Sequence, residues 1–252
     1  MARSFCFLAA AAMLVGCAHP SGDVSRHLAR SLGGGTQLIV IGEIHGTAEG
    51  PQLFADLVQT LAASRSPLNV GLELPGEVVA APCDWNRPHP YWRRIRDGRT
   101  SRAMHRLFCH LKTLESSGGI LLFDFADDAP PARGQPRYLA AVRRNVSNAS
   151  PTLLLMGNYH ARRADGSLVQ ALVEQGLAVL TLTMSSGRAT AWTCDSSGSC
   201  AARPFNADFC PAESSRPTLI RIDDPDRRMG AWDGCIDFPS LSPSPPLSET
   251  PP

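Results

Sequence analysis

Apolar residues fall into short runs separated by turn residues, and these runs predict strands. Several runs are almost continuously apolar, which is typical of strands that are covered on both faces of a sheet. The predicted strands cover residues 38–42, 69–74, 120–124, 152–157 and 177–184, with a last strand at 218–222.

Between these runs, apolar residues recur at the spacing of amphipathic helices. Apolar stripes of this kind cover residues 53–61, 104–114, 138–146 and 168–175. Ser101 is placed to cap the second of these helices. Residues 82–99, rich in Pro, Trp and Arg, predict an irregular segment in which Trp85 and Trp92 either wall a pocket or fill the core. Since strands alternate with helices, we expect an α/β fold with a mostly parallel sheet, helices on both faces and a disulfide-bearing C-terminal region.

Both ends of the chain depart from this pattern. Arg3 precedes an uncharged apolar stretch, residues 5–15, which is too short to span a bilayer but typical of a signal peptide. Leu-Val-Gly-Cys follows at residues 14–17 and has the form of a lipobox, so we expect Cys17 to carry lipid. The alternative is an ordinary secretory signal in which Cys17 has no role. The predicted organisation is a lipoprotein signal peptide (1–16), a tether (17–35), a single α/β domain (36–238) and a disordered Pro/Ser-rich tail (239–252).

The charge balance excludes one class of partner. The chain has 24 basic and 23 acidic residues, and removal of residues 1–16 takes away Arg3 alone among them, leaving 23 of each. A neutral balance favours no nucleic-acid partner, so the expected membrane contact is through lipid. Ala18, not Asp, follows Cys17. We therefore expect an exported protein anchored to a bacterial membrane, with the outer membrane as the default.

Six cysteines remain after Cys6 and Cys17 are set aside, and an even number in an exported chain predicts disulfides. Six cysteines allow 15 connectivities, and a zinc site is a weaker alternative because no pair has Cys-x-x-Cys spacing. His105 lies four residues before Cys109 on one helix face and is expected to be solvated. The preferred pairing is Cys83–Cys109, Cys194–Cys200 and Cys210–Cys235.

Ionisable side chains stand at the ends of four successive predicted strands. They are Glu43 with His45, then Glu73, Asp124 and His160. The carboxyl ends of parallel strands share one edge of the sheet, where ligands bind in open α/β folds. Any one of these residues alone could be a hydrogen-bonded structural residue. Together they predict a functional cleft, because buried carboxylates and imidazoles are costly unless they are paired or functional.

The chain leaves two of the predicted strands through the same short motif. Gly42 and Gly157 each lie three residues before a histidine, in Gly-x-x-His45 and Gly-x-x-His160. We expect each glycine to permit a sharp turn off its strand.

At these motifs the sequence resembles the superfamily of erythromycin esterases, ChaN-like haem-binding lipoproteins and Tiki/TraB proteins. The resemblance rests on GEIHGTAEG, GLELP, FDF and GNYH at residues 42–50, 71–75, 123–125 and 157–160, and residues after Met184 match no branch. It implies that His45, Glu73 and His160 line an active cleft with Glu43 beside them. Further residues are candidates for supporting roles: Glu49, Asp124, Asn158 and Tyr159.

Two functions follow from this reading. The first is a hydrolase of a small-molecule or peptide substrate, in which one histidine activates water and the other polarises the carbonyl. A divalent metal, zinc or manganese, held by His45, His160 and Glu73 is the alternative means of activation. The second is a haem or iron carrier without turnover, with axial-ligand candidates Tyr159, Tyr91, His45 and His160.

Overall fold

The computed structural model describes residues 22–31, 36–64, 67–126, 131–146, 150–210, 215–221 and 232–248. The helices within these residues are α1 (Gly22–Ser31), α2 (Glu49–Ala62), α3 (Gly76–Ala80), α4 (Tyr91–Arg94), α5 (Arg102–Ser116), α6 (Pro131–Asn145) and α7 (Leu168–Glu174). The strands are β1 (Leu38–Glu43), β2 (Leu68–Pro75), β3 (Ile120–Ala126), β4 (Thr152–Gly157), β5 (Val179–Cys194), β6 (Cys200–Ala207), β7 (Thr218–Arg221) and β8 (Gly234–Asp237).

The strands form one mixed sheet in the order β3-β2-β4-β1-β5-β8-β7, with β6 paired to β5. The five strands from β3 to β5 in this order run parallel, as does the β5–β8 pair, whereas β6 and β7 pair antiparallel with their neighbours. The predicted α/β class with a mostly parallel sheet is confirmed. The structure adds β6 and β8, which the sequence pattern did not indicate, and extends β5 to Cys194.

Helices cover both faces of the sheet, which explains why the strand sequences are continuously apolar. Along β1, Ile39 and Ile41 pack in the cluster that includes residues of α1, α2 and α5. Leu38 and Val40 point the other way, into the cluster that includes residues of α6 and α7. Every residue of β1 is buried, so a polar substitution in its interior would have no face on which to reach water.

The topology opens a crevice between β1 and β4. These strands are neighbours, with Glu43 opposite Gly157. The helix after β1 (α2) lies on one face of the sheet, whereas the helix after β4 (α7) lies on the other. In open α/β sheets, ligands bind outside the carboxyl ends of two strands whose connections diverge in this way.

Part of the predicted tether is folded. Residues 22–31 form α1, and Val24 and Leu28 are 2% and 0% exposed. Because these two residues lie four apart, they share one helix face, and α1 packs against α2. The tether prediction is therefore wrong for these residues. The signal peptide, Cys17 and the rest of the predicted tether lie outside the described residues.

Residues 239–248 cross the molecule as a segment that we call the C-terminal strap. Leu241 is 2% exposed, and its N–H donates to the carbonyl of Arg188. Pro243 and Pro246 form isolated β-bridges with Thr47 and Ser101. The prediction of disorder is wrong for these residues, because apolar side chains, Leu241 and Leu247 among them, pack on the core and backbone polar groups between the prolines form hydrogen bonds. Residues 249–252 lie outside the described part.

The preferred cysteine pairing is confirmed in all three cases. Cys83–Cys109 joins the segment after α3 to α5, Cys194–Cys200 closes the β5–β6 hairpin, and Cys210–Cys235 holds the segment after β6 against β8. No helix among the described residues has the length and apolar character needed to cross a bilayer.

His105 is buried instead of solvated. His105 is 1% exposed, and its ring packs edge-on against Trp85 and Trp92, whose ring centroids lie 4.5 and 4.9 Å from its own, respectively. Burial lowers the pKa of His105 to about 4, so the ring is neutral at physiological pH. Trp92 fills the core with no exposed surface, whereas Trp85 is half exposed.

Candidate active site

The site begins with an ion pair at the end of β1. Glu43 is the last residue of the strand and its side chain is 2% exposed. His45 follows two residues later, and its Nδ1 lies 2.8 Å from Oε1 of Glu43. The strand ends at Glu43, and the turn that follows brings the imidazole back beside the carboxylate. The strand therefore fixes the carboxylate, and the carboxylate orients the imidazole, whose side chain is 34% exposed.

This pair sets the charge of His45. Burial of the ring opposes protonation, but the hydrogen bond and negative charge of Glu43, together with the charge of Glu73, outweigh it and raise the pKa of His45 to about 9. The nearby Arg99 guanidinium opposes this rise only in part. His45 is therefore an imidazolium at neutral pH, suited to donate a proton or stabilise negative charge and unsuited to accept a proton.

Glu73 links the two histidines. It lies on β2, and its Oε2 accepts a hydrogen bond of 2.6 Å from the N–H of Gly157 at the end of β4. Its Oε1 lies 3.7 Å from Nε2 of His160. The same carboxylate acts on His45 through its charge. We call Glu43, His45, Glu73 and His160 the His/Glu cluster.

His160 is held between two tyrosine rings. Tyr138 and Tyr159 make edge contacts with it, with centroids 5.8 and 5.5 Å away. Its Nε2 is on the Glu73 side, whereas its buried Nδ1 has no hydrogen-bond partner among the described residues. The site therefore contains an imidazole nitrogen whose hydrogen-bonding capacity is unused.

The two glycines of the Gly-x-x-His motifs provide space for the cluster. A Cβ added to Gly157 would lie 2.6 Å from Nε2 of His45, and one added to Gly42 would lie 2.7 Å from Oδ1 of Asn158. Neither glycine has a positive φ. The expectation that these glycines permit sharp turns is wrong. Each position requires glycine because a neighbouring side chain occupies the space that a Cβ would take. Gly46, with φ of +83°, supplies the turn instead.

Arg99, in the segment predicted to be irregular, also acts on the cluster through its charge. Arg99 donates to both carboxylate oxygens of Asp97, and its charge acts on His45 and Glu73. Gly98 lies so close to the His45–Gly46 peptide that an added Cβ would approach it to 2.3–2.5 Å. This approach of two segments distant in sequence leaves no periodic signal, so sequence reasoning missed Arg99.

The four supporting candidates have different positions. Asn158 follows β4, and its Oδ1 accepts a hydrogen bond of 2.8 Å from Thr183 Oγ1, which fixes the strand exit. Tyr159 is 64% exposed and edges His160. Asp124 lines a cavity of about 420 Å³ beside Gly76 and Arg144. Both carboxylate oxygens of Glu49 accept from the N–H of Ser242, so this residue contacts the strap.

The expected metal ligands are not grouped as a metal site. Within the described residues, His45, His160 and Glu73 do not offer ligand atoms that all lie within 4.8 Å of one another. The group that meets this distance is Cys83, His105 and Cys109, whose two cysteines are joined as a disulfide.

A larger cavity lies away from this chemistry. It has a volume of about 860 Å³ and lies between α2, α5 and the residues that follow β8, with Gln52, Leu107 and Phe238 in its lining. His45, Glu73 and His160 do not line it. This cavity is larger than the one beside Asp124, but the ionisable residues of the His/Glu cluster lie at the strand ends and not in its lining.

Fold and cluster together define an α/β protein with an ionisable site at the β1–β4 crevice. No family model matches the chain, and no curated protein matches it at a significant level. Solved structures with similar folds include a Bacillus cereus protein (TM-score 0.57, 10% identity, 89% of this chain and 98% of that one), a succinoglycan biosynthesis protein (0.54, 10%, 86% and 91%) and the type III effector HopBA1 (0.52, 14%, 88% and 94%). At such low identities these likenesses show the fold alone.

Proposed function

We propose that this protein is a hydrolase of ester or amide bonds and that the His/Glu cluster is its active site. The observation that carries the proposal is that one carboxylate, Glu73, acts on two histidines at the carboxyl edge of the sheet. Its Oε1 lies 3.7 Å from Nε2 of His160, and its negative charge helps to raise the pKa of His45. Perturbed ionisable groups gathered at a ligand-binding edge are typical of catalytic sites. The motif resemblance to erythromycin esterases supports the same reaction class, and the comparisons name no family.

The proposed roles follow from the charge of each histidine. His160 accepts a proton from water as the water oxygen attacks the carbonyl carbon, and Glu73 stabilises the imidazolium that forms. His45, already protonated beside Glu43, stabilises the oxyanion. When the intermediate collapses, His45 gives its proton to the departing alcohol or amine, and the acid product takes the added hydroxyl. Proton exchange with solvent then removes the proton gained by His160 and restores the one lost by His45, which closes the cycle.

We further propose that the protein is exported and anchored through Cys17 to a bacterial membrane. The three disulfides support export, because such bonds persist in oxidising compartments. The substrate expected in that setting is a small molecule or a peptide.

The hydrolase proposal is tested with p-nitrophenyl acetate and a panel of ester and amide substrates. We expect His45→Ala and His160→Ala each to lower kcat/KM by at least about 100-fold in protein that still melts cooperatively. His110→Ala on α5 is the matched control, since His110 lines the cavity between α2 and α5. Unchanged hydrolysis in both cluster variants would contradict the proposed site.

The haem-carrier alternative is decided by a spectrum with added haemin. Tyr91 is 5% exposed and buried, whereas Tyr159 is exposed and could ligate iron. The cluster places several charged side chains where haem would need a broad apolar wall, so we expect no stoichiometric shift of the Soret band. A saturable one-to-one shift that Tyr159→Phe abolishes would favour the carrier.

A further inference from the structure

The turn that carries His45 is held from two sides. Gly46, directly after His45, accepts hydrogen bonds at its carbonyl from the N–H of Trp192 on β5 (3.0 Å) and from the N–H of Ser244 in the C-terminal strap (2.7 Å). Gly46 has a φ of +83°, a conformation that other residues rarely adopt. The backbone geometry at the histidine therefore depends on partners about 150 and 200 residues away in the sequence.

The strap also continues past this turn in both directions. Before Ser244, the carbonyl of Ser242 accepts from the N–H of Ala48 (2.9 Å), and the N–H of Ser242 donates to both carboxylate oxygens of Glu49 (3.0 and 2.9 Å). The strap thus pairs with the chain from the turn into the first residue of α2.

On its other side the strap contacts the segment that follows Arg99. The carbonyl of Pro245 accepts from the N–H of Arg102 (2.9 Å), and Oγ of Ser244 accepts from the N–H of Ala103 (3.0 Å). Ser244 is thereby bonded through its backbone to the His45 turn and through its side chain to the start of α5. The strap joins the two segments that bring His45 and Arg99 together.

We propose that the C-terminal strap is a positioning element of the active site, which fixes the His45 turn against the Arg99 segment through Ser244. The inference rests on the proposed function for its catalytic consequence, but its structural part stands apart from it. Packing covers the imidazole only in part: the ring lies over Gly157, and its side chain is 34% exposed. Its position therefore depends on the Glu43 hydrogen bond and on the conformation of the turn.

The test removes the hydrogen bonds that Ser244 makes. Ser244→Pro deletes both the N–H that donates to Gly46 and the hydroxyl that accepts from Ala103. Ser244 already precedes Pro245, so its backbone is restricted to extended conformations that proline tolerates. Ser240→Pro is the matched control, because Ser240 lies exposed in the same strap and its N–H makes no hydrogen bond among the described residues. A chain truncated after Leu241 removes all Ser242 and Ser244 contacts while keeping the buried leucine.

Two readouts separate positioning from general stability. We expect Ser244→Pro and the truncated chain to keep their cooperative melting, to lower kcat on p-nitrophenyl acetate at least about tenfold with a smaller change in KM, and to move the NMR titration of the His45 ring toward that of a free histidine. Ser240→Pro should match the wild type in both.

Each result bears on the proposal. A His45 titration and a kcat that stay at wild-type values in both folded variants would overturn it. If the wild type hydrolyses none of the tested substrates, the hydrolase proposal fails, while the NMR titration still decides whether the strap positions His45. If both variants fail to fold, the same His45 titration is measured in Ser244→Ala, which removes only the bond to Ala103, and in Glu49→Ala. A wild-type titration in both of these would equally overturn the proposal.

Discussion

At the scale of single residues, the Glu43–His45 pair couples the charge of the site to the stability of the fold. The pKa of His45 is raised to about 9 in the folded protein, against about 6.5 in an unfolded chain. A raised pKa contributes stability that is fully present below the unfolded value and is lost as the pH rises through the folded value.

We therefore expect the free energy of unfolding to fall by about 1–2 kcal/mol between pH 6.5 and the folded pKa, a value discounted for solvent screening of a ring that is 34% exposed. Glu43→Gln removes the carboxylate and should flatten this part of the profile in urea titrations. A fall of equal size in the variant would show that another group causes it.

Gly157 gives a second prediction at this scale. Because an added Cβ would lie 2.6 Å from Nε2 of His45, Gly157→Ala should displace the imidazole and abolish most hydrolysis. The expected cost in stability is about 1–3 kcal/mol, as for other overpacked positions. Gly187→Ala is the control, since nothing lies within 4 Å of its added Cβ. Wild-type activity in Gly157→Ala would mean that His45 can leave this position without consequence.

At the scale of elements, the disulfides differ in the length of chain that they close. Cys83–Cys109 spans 26 residues, whereas Cys194–Cys200 spans 6. The chain-entropy relation gives about 3.5 kcal/mol for the longer loop and about 2 kcal/mol for the shorter one. Urea unfolding of the two double Cys→Ser variants should show the larger loss for Cys83/Cys109. The opposite order would mean that the hairpin disulfide supports more than its own loop.

Elements also differ in how far the sequence specified them. The ends of strands β1 to β5 were predicted to within two residues, except the end of β5, because burial on both faces demands unbroken apolar runs. The strands β6 and β8 escaped prediction. The exposed positions of β6 interrupt any apolar pattern, and β8 has only four residues. Helix α1 was missed because its apolar face consists of little more than Val24 and Leu28.

At the scale of the whole molecule, the proposed export and lipid anchor set the compartment in which the site would work. If Cys17 carries the lipid, Cys17→Ser should move the protein from the membrane fraction to the soluble fraction or leave an unprocessed precursor, because the acyl chains would no longer hold it. Fractionation of cells followed by immunoblotting measures this. A processed, membrane-bound Cys17→Ser protein would contradict the anchor.

The fold of the whole chain explains why such a site can exist at this edge. The sheet places Glu43 of β1 opposite Gly157 of β4, and Glu73 directly follows Leu72, the last residue of β2 that pairs with β4, so residues 114 positions apart meet without a long loop. Similar sheets occur in solved proteins whose sequences are only 10–14% identical to this chain. The arrangement is therefore a property of the backbone, and its use depends on the side chains placed there.

The sequence alone determined the fold class and the strand ends that carry Glu43, His45, Glu73 and His160, and it favoured the cysteine pairing that the structure shows. Strand burial, strand-to-helix alternation and loop spacing are local properties, so they are visible along the chain. The His/Glu cluster was predictable because parallel strands bring their carboxyl ends to one edge.

Only the tertiary structure decided what each of these residues experiences. The raised pKa of His45, the space left by Gly157, the approach of Arg99 and the strap bonded to Gly46 all arise from segments far apart in sequence. Electrostatic fields and steric contacts act through space, and hydrogen bonds from a proline-rich tail follow no periodicity. The sequence therefore names the chemical groups of the site, whereas the fold sets their charge, distance and support.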